Sequence, residues 1–170
     1  MAIYILIRMD HANRWLMAWI GIAALGCLYV AGEEVSWGQH FLKWESSEFW
    51  SGVNDQNETN LHNISSWLDQ KPRILLIIGV YVGGLVIPLL LKFRPGVLPD
   101  RFAIIYPNQK FITTAVLCLA LKVYDSLGDI TGVNLLYRSA ETEEIFIYYF
   151  VVLYLLLMMK RLTMQSRKTS

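Results

Sequence analysis

Charge is what this chain lacks most. Asp, Glu, Lys and Arg together make up 17% of its 170 residues, where ordinary soluble domains carry about a quarter. The charges nearly cancel, at +1, and no basic patch forms, which excludes nucleic acid as a partner. Cysteine is almost missing: Cys27 and Cys118 both lie inside apolar segments and read as buried free thiols that carry no information about redox compartment. There are three histidines and no metalloprotease signature. Internal repeats and low-complexity runs are absent too.

What is present is apolar. Hydrophobic residues form 55% of the chain, and they come in long blocks instead of at amphipathic spacing. A bilayer core of roughly 30 Å needs about 20 helical residues. Four blocks meet that need, near 15–32, 74–93, 111–127 and 144–160. The first has a basic flank, as a signal peptide would, but no small-x-small cleavage site follows, so it reads as a transmembrane helix. The second carries Gly79, Gly83 and Gly84, a small-residue face suited to close helix packing, and Pro88, which is expected to kink it. Prolines and glycine mark 94–110 as a loop. The chain is therefore expected to be a single all-α membrane domain over 1–170, with four transmembrane helices and a helical cap at 33–73 between the first and second.

Topology follows from the basic residues. With four spans, Arg8, Arg14, Lys92, Arg94, Arg101, Lys110, Lys160, Arg161, Arg167 and Lys168 fall on one side, and nearly every carboxylate falls on the other. Both termini are expected in the cytoplasm and the cap outside.

The cap concentrates the chemistry. Seven of the fourteen acidic residues (Glu33, Glu34, Glu45, Glu48, Asp55, Glu58 and Asp69) lie between Glu33 and Asp69, with His40, His62 and four of the six tryptophans. If the first helix continues outward, Glu33, Trp37, His40 and Trp44 share one stripe. Asp55 and Glu58 form a capping-box variant, and Leu61, Ile64 and Leu68 recur at helical spacing. A helix there sets Glu58, His62, Ser65 and Asp69 on one face, with Glu58 beside His62. Carboxylates and imidazoles so placed suit either an acid–base relay or a divalent metal held by His40, Glu58 and His62. The candidate catalytic residues are Glu33, Glu34, His40, Glu58 and His62; Gln39, Asn60, Asp69 and Glu144 are candidate ligand-binding residues. The plain alternatives are a solvated polar face for the second helix and an aromatic belt at headgroup level for Trp37, Phe41, Trp44, Phe49 and Trp50. The asparagines at 54, 57, 60 and 63 read as scaffolding amides.

Two further groups lie at the same level. Lys122 and Asp125 are expected to pair within the third span, with Asp129 nearer water. Ser139 is expected to cap the fourth helix, placing Glu141, Glu143 and Glu144 near its start, and Glu144 to face the bundle.

The segments Glu33-Glu34-Val35-Ser36-Trp37-Gly38-Gln39 and Asn54-x-Gln56-x-Glu58-x-Asn60-Leu61-His62-Asn63 resemble a group of small, uncharacterised polytopic bacterial membrane proteins. That resemblance implies a bacterial inner-membrane setting and supplies no activity. Two functions are expected from the residues themselves. One is hydrolysis or transfer on a lipid or lipid-linked substrate at the outer leaflet. The other is a non-enzymatic accessory subunit that docks a membrane-protein partner through the cap or the second helix.

Overall fold

A computed structural model describes residues 1–8, 13–53, 57–61, 64, 66–132, 136 and 138–169. It is all-helical, and no strand occurs among the described residues. Helices run over Ala2–Arg8 (α1), Arg14–Glu34 (α2), Gln39–Leu42 (α3), Glu48–Val53 (α4), Ser66–Tyr81 (α5), Ile87–Phe93 (α6), Phe111–Thr131 (α7) and Ser139–Thr169 (α8). A 3-10 turn at Ser36–Gly38 precedes α3, a π-helical turn at Val82–Val86 joins α5 to α6, and a 3-10 helix at Asp100–Ile105 precedes α7. Four helical segments are long and apolar enough to cross a membrane: Arg14–Glu34, Lys71–Phe93, Phe111–Thr131 and Glu141–Gln165. Exposed Ile22, Leu25, Leu75 and Ile130 are what lipid-facing helices require.

The chain divides into two compact units, Met1–Leu75 and Leu76–Ser170. In the first, α1 packs on α2. Ala2 and Ile5 are buried on α1, and Leu16, Ile20 and Ala24 at four-residue spacing on α2. Asn13 caps α2 by accepting from the Leu16 amide at 3.3 Å. The run Ile3-Tyr4-Ile5-Leu6-Ile7 is too short to announce a helix by itself, and helices of this length depend on packing for stability.

The second unit has an apolar core of Val80, Phe111, Ala115, Cys118, Ile147 and Phe150. Phe111 and Phe150 meet edge to face with centroids 5.1 Å apart. Gly84 permits this packing: a Cβ there would sit 2.4 Å from the Ala115 Cβ and 2.8 Å from Phe150. Pro88 does more than kink its helix. Lacking an N–H and crowding the carbonyl four residues back, it leaves the preceding turn to widen, and the Ile87 amide bonds five residues back to Val82. The 94–110 connection contains structure of its own. Its non-α carbonyls are met by side chains of α8: Arg161 Nη1 donates to Ile104 and Tyr106 at 2.6 and 2.7 Å, and Tyr154 to Ile105 at 3.0 Å. Irregular backbone packed into a membrane bundle needs such donors.

The start of α8 corrects two expectations. Ser139, its first residue, donates to Asp125 Oδ1 at 2.6 Å, so Asp125 meets a hydroxyl and Lys122 stands exposed. Glu143 is the buried carboxylate of this segment, at 1% exposure, while Glu144 is half-buried.

Candidate functional site

The expected continuation of α2 through His40 does not occur. The helix ends at Glu34, and Ser36, Trp37 and Gly38 follow with φ of 46°, 54° and 102°. Three successive left-handed residues reverse the chain, at a cost of roughly 1–2 kcal/mol for each residue bearing a Cβ. Gly38 escapes that cost and accepts a conformation that side chains disfavour. The turn closes with the Gly38 amide on the Val35 carbonyl at 2.9 Å. The Trp37 ring folds back onto Gly32, where a Cβ would lie 2.8 Å from it.

The expected helix at 57–61 is absent as well. This segment is extended or bent, Asn57 has φ 55°, and α5 begins only at Ser66. Glu58 thus stands outside any helix, while His62 and the side chain of Asp69, its expected neighbours on the stripe, lie outside the described residues. The reason is competition for the backbone. Side chains from the first half of the cap take the amides and carbonyls that a helix would have used. Thr59 N donates to Gln39 Oε1 at 2.7 Å, and Leu61 N to Glu33 Oε2 at 2.6 Å. The Asn57 carbonyl accepts from Gln39 Nε2 at 3.2 Å and from the Ser46 hydroxyl. Backbone groups of 57, 59 and 61 are held in this way, and the side chains of 58 and 60, between them, meet each other.

That alternation assembles a polar cluster on Ser36. Asn60 Nδ2 donates to Ser36 Oγ at 3.1 Å and to Glu58 Oε2 at 2.7 Å. Ser36 Oγ donates to Glu58 Oε2 at 3.0 Å and lies 3.2 Å from His40 Nε2. His40 Nε2 is also 3.4 Å from Glu58 Oε1. A hydroxyl has one hydrogen and two lone pairs. With its hydrogen given to Glu58 and one lone pair filled by Asn60, Ser36 meets His40 as an acceptor, so Nε2 carries the proton. Ser36 is fully buried and saturated, which disqualifies it as a nucleophile in this geometry. The acid stands on the same side of the imidazole as the serine, unlike a Ser-His-Asp relay, where it orients the opposite nitrogen.

Burial grades across the cluster. Ser36 and Asn60 form a buried floor, the Glu58 side chain is 23% exposed, and the His40 side chain is 50% exposed. The accessible chemistry is therefore a carboxylate with one oxygen fixed by two donors and the other facing a protonated imidazole nitrogen. In such a pair Glu58 can take a proton from a bound hydroxyl or water, and His40, in its doubly protonated imidazolium form, can return one and become neutral imidazole.

Glu33 belongs to a second network. It is 4% exposed, and its two oxygens accept from Trp37 Nε1 and Leu61 N, both at 2.6 Å. Gln39 forms a third, donating to the Trp44 carbonyl, Ser46 Oγ and the Asn57 carbonyl while accepting from Thr59. Both are scaffold residues. Glu34 is exposed at the end of α2, and Glu144 belongs to the second unit. His62, Ser65, Asp55 and the side chain of Asp69 lie outside the described residues. Of the expected metal set, His40 and Glu58 stand together; among the described residues no three His, Cys, Asp or Glu side chains cluster as metal ligands would. Ser36 was the functional-cluster residue least visible in the sequence, since its role depends on contacts 22 and 24 residues away.

No family model, curated protein or solved structure matches this chain.

Proposed function

We propose that this multi-pass membrane protein uses the His40–Glu58 pair as an acid–base site for hydrolysis or transfer on a lipid or lipid-linked substrate. The observation that supports the reading is the graded cluster: a buried Ser36–Asn60 floor fixes one Glu58 oxygen, and the other oxygen lies 3.4 Å from His40 Nε2. Glu58 serves as base, His40 as acid, and Asn60 and Ser36 as positioning residues. The setting belongs to the proposal too. We propose both termini in the cytoplasm and the cap at the outer face of a bacterial inner membrane, an orientation that the one-sided distribution of basic residues supports.

The test is direct. Vesicles containing the purified protein and a total bacterial lipid extract are followed by mass spectrometry, with wild type beside Glu58→Gln and His40→Ala. Accumulation of a product with wild type alone is the expected result. Identical lipid profiles for all three proteins would sink the enzymatic reading.

One observation favours the accessory alternative. Glu33 and Gln39 spend their polar atoms on internal bonds, as a cap built to present a rigid surface to a partner would. On that reading, a larger membrane complex co-purifies with the wild-type protein and is lost on Trp44→Ala but kept on His40→Ala.

A further inference from the structure

The cap is built inside out. Among its described residues the buried side chains are polar: Glu33 at 4%, Ser36 at 0% and Asn60 at 0% exposure. Large apolar side chains stand exposed instead: Phe41 at 73%, Leu42 at 76% and Phe49 at 65%, with Trp37 and Trp44 also exposed. A surface facing water has the opposite arrangement, and clustered exposed apolar groups mark an interaction site.

Contacts within the unit decide what covers this surface. The Trp37 ring lies against Gly32 in the last turn of α2, and its indole nitrogen is bonded to Glu33. Trp44 lies in turn against Gly38, 3.5 Å from the position of a Cβ there. The Leu61 amide is tied to Glu33. These links hold the cap to the terminal turn of a membrane-crossing helix, and α3 begins only five residues after α2 ends. A covering that already surrounds the apolar flank of α2 therefore reaches the cap without interruption. Exposed Lys43, Glu45 and Glu48 are interspersed with the apolar groups, the mixture found in segments that lie at a bilayer surface.

We infer that the Trp37–Phe49 surface is immersed in the boundary between headgroups and acyl chains of the leaflet at which α2 ends, with Phe41, Leu42 and Phe49 as its apolar anchors. The bilayer supplies the apolar exterior that the cap's polar interior presupposes. This rests on the membrane span alone and holds whether or not His40 and Glu58 are catalytic.

Spin-label accessibility tests it. Cys27 and Cys118 are replaced by alanine, and a nitroxide is placed by cysteine substitution at Phe41, Phe49, Glu45 or Leu25, one site per protein, in protein-free lipid nanodiscs. All four positions are exposed, and the ring contact that the label at 49 removes is the edge contact of Phe49 with its neighbour Trp50. Phe41→Cys and Phe49→Cys labels are expected to be relaxed more by oxygen than by a water-soluble nickel chelate, as the Leu25→Cys label is, with the contrast reversed at Glu45→Cys. Labels at 41 and 49 that behave like the one at 45 would overturn the inference in favour of a water-exposed cap. Protection of 41 and 49 from both reagents would overturn it in favour of a protein–protein contact.

Discussion

The two units of this molecule are held together by opposite means. In the second, Phe111, Ala115 and Phe150 interlock through apolar side chains over Gly84. In the cap of the first, Ser36, Glu58 and Asn60 bond one another, while Glu33 and Gln39 bond the irregular backbone around them. Apolar packing tolerates adjustment, because a lost contact costs a fraction of a kcal/mol for each atom pair. A saturated polar network is less forgiving, since removing one member strands its buried partners. The bundle should therefore respond to changes in volume and the cap to changes in chemistry.

The largest effect is expected in the bundle. Phe150→Ala opens a cavity beside Phe111 and Gly84 and should cost about 3 kcal/mol, the lower end for such a truncation because lipid gives little transfer free energy between helices. Reversible unfolding in mixed micelles measures it, and a loss under about 1 kcal/mol would show that Phe150 is not a keystone. In the cap, Glu33→Gln keeps volume but turns an amide NH2 toward one of two buried donors. A loss of about 2 kcal/mol is expected, read as a gain in amide exchange at Leu61. Exchange no faster than in wild type would mean that the network adapts, which breaks the contrast. Gly84→Ala should cost about 1–2 kcal/mol by overpacking, and Ala115→Gly in the same chain should restore most of it. That rescue is a signature of shape, and its failure would assign Gly84 a backbone role instead. Gly38→Ala is the smallest, about 1 kcal/mol from the left-handed backbone, with a local increase in amide exchange at 36–39 as its readout.

The same contrast explains what could be read from the sequence. Spans are legible because length and hydropathy act residue by residue, and the four blocks lie where the apolar helices are found. The cap is legible in composition but not in geometry. Between Glu33 and His40 only Gly38 hints that α2 stops, and the turn is also held by Asn60 and Leu61, far along the chain. At 57–61 two signals compete: the helical spacing of Leu61, Ile64 and Leu68, and the period of two in Asn54, Gln56, Glu58 and Asn60. The second is the one that matches the alternation seen there, with backbone groups of 57, 59 and 61 bonded and the side chains of 58 and 60 joined. Glu58 and His40 meet all the same, by that route and not through two facing helices. Arg161 carries a similar lesson. It stands where a basic flank is expected, yet its guanidinium serves the carbonyls of Ile104 and Tyr106, a use that depends on a 3-10 helix with no clear sequence mark.

The left-handed run at Ser36–Gly38 has a consequence for mirror-image chemistry. Every L-residue there works against its own chirality, whereas a D-amino acid has its preferred basin where these φ values lie. A chain assembled by chemical ligation with D-alanine at position 38 would meet this turn already shaped for it. The cap would then form from a less disordered starting ensemble, with the same partners for Ser36 and Trp37 at its end.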